Sequence, residues 1–267
     1  MAAADVPRMG RRRHASYGKG NALEAQGRHG FMRLGSLFVL FGLLFGWWAL
    51  RLPGPGCILG WAGVSFLLVG WAYLAREPCV FGKRPDGTMA VRSVVLLLPY
   101  LLCVWAVWRL RRLIRRGEPY QELAPGIIIG RRLFPSEYPA TVEAVLDLTC
   151  EFPEFQGVRR ARHYRSFPIL DGHVPKSSDL TALVGRLGDL RGTWYVHCAE
   201  GYGRAGLVGA AILLARGLAT EPDEAIRMVQ ARRPGVRLTK RQREMLAEVA
   251  KALTREAGTS ANEKSRP

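Results

Sequence analysis

Residues 193–206 read Thr-Trp-Tyr-Val-His-Cys-Ala-Glu-Gly-Tyr-Gly-Arg-Ala-Gly. The apolar run at the start predicts a buried strand, and the apolar run that follows, residues 207–215, predicts a helix packed on both sides. The pattern is therefore a strand, a tight glycine-bearing loop and a helix. Such a loop gathers backbone N–H groups at a helix N-terminus, where the helix dipole adds partial positive charge, so the sequence predicts an anion site.

The residue types in this loop fit covalent phosphate chemistry. A thiol at Cys198, held over amide dipoles and beside a guanidinium, is expected to ionise and act as a nucleophile. Arg204 can bind two phosphate oxygens at once, which a lysine cannot. Gly201 and Gly203 are expected to let the backbone turn inward without a Cβ clash. The competing interpretation, a structural cysteine beside a core histidine, leaves these glycines and the arginine unexplained.

His197 and Cys198, followed after five residues by Arg204, resemble the HCxxGxGR signature of the cysteine-dependent protein tyrosine and dual-specificity phosphatase superfamily. The resemblance extends to residues 126–131, which look like the opening strand of dual-specificity phosphatases, and to residues 232–236, which look like the segment before the final helix. It implies an α/β fold in which helices flank a central sheet, with phosphate monoesters hydrolysed through a phosphocysteine. The implied substrate-binding residues are His197, Ala199, Glu200, Gly201, Tyr202, Gly203 and Ala205.

Two loop positions are unusual. Most of the family carries Ser or Thr after the arginine, where the hydroxyl assists departure of the thiolate, whereas this chain has Ala205. We therefore expect slower breakdown of the phosphoenzyme. Glu200 is an acid inside an anion-binding loop, and we expect it to point outward and to disfavour very highly charged substrates.

A leaving oxygen needs a proton, and a carboxylic acid on a movable loop can supply it and then activate water. Asp171 lies in a loop with two prolines and Gly172, and the resemblance implies the same position for the general acid. His173 is a weaker candidate for this role. The other acids nearby, which we do not assign to catalysis, are Asp147 within a strand and Glu151 and Glu154 around Pro153.

The charge of the chain is uneven. Of 267 residues, 1–116 hold 17 Lys and Arg against 4 Asp and Glu, while 117–267 hold 22 against 18, so most of the formal charge of +17 lies in the N-terminal part. This asymmetry argues against a nucleic-acid partner for the catalytic half. The five cysteines show neither a disulfide framework nor metal-ligand spacing, and no metal or other cofactor is predicted.

The N-terminal part contains three uncharged apolar stretches, about 34–50, 57–75 and 93–108, each near the length of a membrane span. A basic arm, 1–30, precedes them and is predicted to be disordered, and a basic juxtamembrane helix, 109–116, follows. Both basic segments are expected to attract anionic lipid headgroups. Three spans would place these two basic segments on opposite sides of the membrane, which the positive-inside rule disfavours. The alternative is two spans followed by an interfacial helix.

Residues 117–257 predict one α/β catalytic domain, and 258–267 a disordered tail. Strands are expected near 126–130, 144–149, 162–167 and 193–196, and helices over 180–190, 207–215, 225–232 and up to residue 253. Thiol chemistry favours a reducing compartment, so the domain is predicted to be cytoplasmic.

These features predict a membrane-anchored dual-specificity-type phosphatase whose substrate is a lipid headgroup phosphate. Two alternatives remain open: a phosphotyrosine or phosphoserine phosphatase acting on membrane-associated proteins, and a non-catalytic phosphate-binding membrane anchor. The sequence leaves the substrate, the membrane topology and the oligomeric state undecided.

Overall fold

The structure is a computed structural model that describes residues 17–52, 54, 56–114, 117–188 and 192–264, with side chains at 33–52, 54, 56–114, 117–160, 162–187 and 192–256. Its helices and strands are, in chain order, α1 (Tyr17–Arg51), α2 (Gly56–Ala75), α3 (Val91–Ile114), β1 (Tyr120–Ala124), β2 (Ile127–Arg131), β3 (Ala144–Thr149), α4 (Gln156–Ala161), β4 (His163–Ile169), α5 (Ser177–Gly188), β5 (Trp194–Cys198), α6 (Arg204–Ala215), α7 (Pro222–Arg232) and α8 (Lys240–Lys264).

The five strands form one sheet in the order β1-β2-β5-β3-β4. β2, β5, β3 and β4 are parallel, and β1 pairs antiparallel with β2 at one edge. The predicted α/β class is confirmed, and the four parallel strands lie where the sequence pattern places them. β1 and α4 were not predicted, because five and six residues are too few to show a clear period.

Alternate residues of the strands pack on opposite faces of the sheet, as a period of two requires. Val196 and Cys198 of β5 join the core that α5, α6, α7 and α8 cover, whereas Tyr195 joins a smaller core that includes Val158 of α4. β5 is central, with β2 and β3 as its neighbours. The loop after Cys198 therefore begins at the middle of the carboxyl edge, where parallel sheets bind ligands.

Both predicted tails differ from the structure. Residues 1–16 of the predicted basic arm lie outside the described residues, but 17–30 belong to α1, because residues 22–26 are good helix formers that extend the apolar helix. Residues 258–264 of the predicted C-terminal tail belong to α8, since helix formers resume at 261 and no proline interrupts them. Residues 265–267 lie outside the described residues.

α1 and α2 form a closely packed antiparallel hairpin. A Cβ placed on Gly42 would lie 2.9 Å from the Gly63 carbonyl oxygen, and one on Gly70 would lie 3.0 Å from that of Gly35. Small residues permit such backbone approach in lipid-embedded helices. Large apolar side chains such as Leu50 point outward. Residues 33–51, α2 and α3 are each long and apolar enough to cross a membrane.

The connector between α2 and α3 docks on the catalytic domain. The Lys83 ammonium lies 2.7 Å from a carboxylate oxygen of Asp147, and the side chains of both residues are fully buried. Tyr164 donates its hydroxyl to the same oxygen at 2.7 Å. The Gly87 carbonyl accepts the Glu154 backbone N–H at 2.8 Å. The connector is therefore bonded to β3 and to the loop that follows β3.

α3 continues along the same domain. The Trp105 indole N–H donates to the Glu151 carbonyl at 2.9 Å, and the Arg112 guanidinium donates to the Arg132 carbonyl at 3.1 Å. Leu101, a turn earlier, is fully buried in a cluster that also contains Leu170 of the catalytic domain. α3 thus contacts the catalytic domain at its middle and near its end.

Replacing Lys83 by Met leaves the Asp147 carboxylate buried without its charged partner. We expect this change to lower the free energy of unfolding by about 3–5 kcal/mol, the usual effect of breaking a buried ion pair from one side. Chemical denaturation of the detergent-solubilised full chain measures the effect. The double variant Lys83→Met/Asp147→Asn should recover part of the loss, and a fully additive double variant would contradict the pairing.

Candidate active site

The loop 199–203 joins the end of β5 to the start of α6. The Ala199 carbonyl accepts the Arg132 backbone N–H at 3.3 Å, which ties the beginning of the loop to the end of β2. At the other end, the Leu207 N–H closes the first turn of α6 on the Gly203 carbonyl at 2.9 Å. The loop is therefore held between a strand end and a helix N-terminus, as predicted.

The two loop glycines have different roles. Gly201 has φ +75°, and a Cβ there would lie 2.3 Å from the backbone carbon of Gly130. No side chain fits at that position. Gly203 has φ −81°, and a Cβ there would meet only Gln242 at 3.7 Å. The expectation that both glycines relieve a Cβ clash is therefore right for Gly201 and wrong for Gly203.

Cys198 lies under this loop and is 3% exposed. Its sulfur accepts the Gly201 backbone N–H at 3.2 Å. Cys150 is a second buried cysteine near the site, but burial and the adjacent Glu151 carboxylate raise the pKa of its thiol well above the ordinary value. The two cysteines thus have different partners: Cys198 accepts a loop amide, whereas Cys150 lies against the Glu151 carboxylate.

Arg204 is 1% exposed and is bound in fork geometry by Glu151, with nitrogen–oxygen distances of 2.7 and 3.0 Å. It also donates to the Ile169 carbonyl at 2.9 Å. Its Nε is buried and has no acceptor among the residues that the structure describes. A phosphate oxygen in the loop would supply that missing acceptor.

The pair of Arg204 and Glu151 remains charged despite its burial. Burial opposes ionisation of Glu151, but the positive charge and hydrogen bonds of Arg204 outweigh it and hold the pKa of the carboxyl below its ordinary value. Burial likewise opposes the charge of Arg204, and the Glu151 and Asp171 carboxylates outweigh it and raise the pKa of the guanidinium. The sequence analysis did not assign Glu151 to catalysis, and its direct bond to Arg204 was missed because 53 residues separate the two.

Asp171 lies at the loop that follows β4, and one carboxylate oxygen is 3.3 Å from Arg204. Its side chain is 72% exposed. The next residue, Gly172, has φ +77° and allows the tight turn. The structure therefore brings the predicted acid to the predicted arginine, with the carboxylate open to the space outside the loop.

His173, the weaker candidate for the acid, is 5% exposed and points to the helices. Its Nε2 lies 3.1 Å from the Tyr73 carbonyl of α2, which can only accept a hydrogen bond, so Nε2 carries a proton. Burial lowers the pKa of this imidazole. His173 therefore fastens the loop of Asp171 to α2, and its geometry does not favour the role of general acid.

Arg233 fixes the loop from the side of α7. It is 3% exposed and donates to the Gly201 carbonyl at 2.8 Å and to the Gln121 side chain at 2.6 Å. Its guanidinium also lies 4.6 Å from the centre of the Tyr202 ring. The segment 232–236 had been identified only by resemblance, and its contact with the loop was not predicted.

His197 belongs to a buried polar cluster behind the loop. Its Nε2 lies 3.3 Å from Glu154 and 3.9 Å from Asp147, and the three residues could offer ligand atoms to a metal ion. Lys83 already lies 2.7 Å from Asp147, and Arg132 lies 3.3 Å from Glu154. These cations balance the two carboxylates, so the cluster fits an ion-paired network that supports His197 better than a metal site.

The two unusual loop residues occupy different surroundings. Ala205 is fully buried in the core beneath α6, with its methyl group in the apolar cluster of the larger sheet face. Glu200 is partly exposed and, with Ala199, lines a cavity that reaches the first three helices. That Glu200 points away from the anion site stays a prediction.

Replacing Arg233 by Met removes the donors that fix the Gly201 carbonyl, so the loop amides lose their alignment. We expect kcat/KM for a phosphate monoester to fall roughly 100-fold, the effect of a displacement of about 1 Å at a reacting group. Steady-state kinetics on the full chain measure it. Arg232→Met, an exposed neighbour, is the matched control and should change kcat/KM less than twofold; equal losses in both variants would refute the positioning role.

A protein-family model described as "PTP-SAK: Swiss Army Knife protein, DSP-PTPase phosphatase domain" matches residues 137–266. Among solved structures, the chain is similar to PTPMT1 in complex with PI(5)P, with 20% identity over 52% of this chain and 99% of that chain and a TM-score of 0.47. It is also similar to the active form of Tk-PTP (26% identity, 50% and 97% covered, TM-score 0.45). For human DUSP28 the values are 19% identity, 52% and 97% covered, and TM-score 0.43. Curated protein sequences contain no significant match to the chain.

Proposed function

We propose that this chain is a membrane-anchored phosphatase of lipid phosphate monoesters, a member of the cysteine-dependent dual-specificity and protein tyrosine phosphatase superfamily, and the match of residues 137–266 to a dual-specificity phosphatase domain model supports this. The phosphatase domain supports the hydrolysis of phosphate monoesters by this chain, without specifying the substrate. The observation that carries the catalytic proposal is the convergence of Cys198, Arg204 and Asp171 on one loop.

The proposed reaction has two steps. The Cys198 thiolate attacks phosphorus, so a P–S bond forms as the ester P–O bond breaks, and Asp171 gives its proton to the leaving oxygen. Arg204 and the loop amides hold the other phosphate oxygens and stabilise the charge of the transition state. Water then attacks phosphorus as the Asp171 carboxylate takes a proton, the P–S bond breaks, and inorganic phosphate leaves.

A lipid substrate is favoured by the contacts between the active-site loops and the apolar helices. Trp105 of α3 is bonded to the backbone of Glu151, and Tyr73 of α2 is bonded to His173 beside Asp171. The active-site loops are therefore bonded to the end of α2 and to the middle of α3, two helices that are long and apolar enough to cross a membrane. Such a position raises the effective concentration of a phosphate that is itself part of the bilayer.

Phosphate release by the full-length protein in mixed micelles tests this function. Lipid phosphate monoesters and a phosphotyrosine peptide are offered at equal concentration, with Cys198→Ser as the blank. We expect release from a lipid at a kcat/KM at least tenfold above that of the peptide, because the helices present the lipid to the loop. The blank should release nothing, since serine is not ionised at neutral pH.

Two other results have clear meanings. Preference for the peptide would leave the phosphatase mechanism intact and overturn the lipid substrate. No release from any ester would favour a non-catalytic phosphate-binding anchor. Asp171→Asn is the control for the acid: it should slow lipid substrates, whose alkoxide needs a proton, more than p-nitrophenyl phosphate, whose leaving group is already stable.

The contacts of α3 favour an anchor of two spans. The connector before α3 is bonded to Asp147, and Arg112 near its end is bonded to Arg132, so both ends meet one water-soluble domain. A helix crossing a hydrocarbon core of about 30 Å would carry its two ends to opposite sides. In our proposal, α1 and α2 cross the membrane, and α3 lies in its surface with outward apolar residues such as Leu110 in the lipid.

This arrangement places the N-terminal basic arm and the basic end of α3 on one side, where the positive-inside rule assigns both to the cytoplasm. Tags at the N- and C-termini should therefore be digested together by protease added to the cytoplasmic side of sealed vesicles. Cys57, exposed in the first turn of α2, should react with an impermeant thiol reagent only from the other side. Tags on opposite sides would require three spans.

A further inference from the structure

A cavity of about 280 Å³ lies between the catalytic loop and the first three helices. On the catalytic side, the cavity is lined by Glu151, Asp171 and the loop residue Ala199. On the helix side the wall is apolar and comes from all three helices, with Phe38 from α1 and Phe66 from α2 among its members. The cavity therefore joins the residues of phosphate chemistry to side chains that hydrocarbon would contact.

We infer that this cavity binds the hydrocarbon segment next to the phosphate of a lipid phosphate monoester. This inference rests on the proposed phosphatase function and specifies which part of the substrate the helices recognise. Its ligand is amphiphilic: a phosphate monoester bound by the loop and an apolar chain that continues from it between α1, α2 and α3.

The phosphate end of this ligand is defined by Arg204 and Asp171. Arg204 has a buried Nε without an acceptor among the described residues, and Asp171, which lies 3.3 Å from Arg204, lines the cavity. A leaving oxygen beside Asp171 therefore emerges into the cavity, and the atoms bonded to that oxygen enter it next. Arg111 on the wall adds positive charge along the path of an anionic substrate.

The chain end is defined by aromatic and branched side chains. Tyr100 packs edge to face against Phe38 and Phe66, with ring centres 5.4 and 5.8 Å apart, and the Phe38 and Phe66 rings are tilted toward each other at 6.1 Å. Val104 and Val107 of α3 complete this wall. Such surfaces attract hydrocarbon through apolar burial, which increases with each methylene that leaves water.

The size of the cavity limits what it holds. At about 280 Å³ it lies just under the range of about 300–1,000 Å³ that is usual for drug-sized ligands. It accommodates a short chain segment beside the phosphate, and not a complete lipid. Turnover should therefore rise with the length of a short chain and level off when the cavity is filled.

A series of linear alkyl phosphates tests this inference, with the full-length protein in phosphatidylcholine nanodiscs and p-nitrophenyl phosphate as a reference substrate. We expect kcat/KM to rise roughly two- to fourfold for each methylene up to a plateau, because each buried methylene adds apolar contact. In Val104→Phe the larger side chain fills the cavity, so the increase in kcat/KM for each added methylene should be at least twofold smaller. Val95→Phe lies on the same helix, is 54% exposed, and should leave the series unchanged.

The paired variants separate binding in the cavity from simple partitioning of longer chains into the bilayer, which neither substitution alters. The same gain in Val104→Phe and Val95→Phe would overturn the inference, as would a wild-type series without a gain. Val107→Phe fills the same cavity and replaces Val104→Phe if that variant does not fold. If the protein hydrolyses p-nitrophenyl phosphate but kcat/KM does not increase with alkyl chain length, only this inference is overturned. If no ester is hydrolysed, the proposed function is overturned as well.

Discussion

The Arg204 guanidinium carries its charge at a position that is 1% exposed, and Glu151 is the residue that makes this possible. An unpaired charge there would cost several kcal/mol in desolvation, so the fork of two hydrogen bonds has to form whenever the domain folds. Glu151 lies in the loop after β3, while Arg204 begins α6. Their bond fixes the carboxyl edge of the sheet, and the phosphate loop is built upon it.

The same short loop also carries the contact with the helices. The Glu151 side chain binds Arg204, and its backbone carbonyl accepts the Trp105 indole of α3. On the other side of the site, His173 joins the loop of Asp171 to the end of α2. The helices are therefore bonded to both loops that hold charged residues of the site. This coupling is the physical basis for treating the helices as part of the substrate site, in addition to an anchor.

Sequence reasoning succeeded where the relevant residues are neighbours in the chain. The strand, loop and helix around Cys198 follow from local periodicity and glycine spacing, and Asp171 was placed by the prolines of its own loop. It failed for contacts between distant segments: Lys83 with Asp147, Arg204 with Glu151, and Arg233 with Gly201. In each pair the two residues lie far apart in the sequence, and no local pattern indicates that the fold brings them together.

Helix α3 illustrates a second limit. Its composition predicts a membrane span, and its length agrees. The sequence does not predict the contact of the connector with Asp147 or the hydrogen bond from Arg112 to Arg132, because both depend on how the catalytic domain folds. The composition of a helix indicates that it is stable in lipid. Its tertiary contacts are needed to decide whether it crosses the bilayer or lies along its surface.

Mass spectrometry of the full-length protein, quenched in acid during turnover of a lipid phosphate, tests the central claim most directly. The account predicts a phosphoryl group on Cys198, absent from the Cys198→Ser variant and more abundant in wild type than in Ala205→Ser, because the serine hydroxyl should hasten breakdown of the intermediate. Release of inorganic phosphate by wild type with Cys198 never phosphorylated, or phosphorylation at another residue, would contradict it.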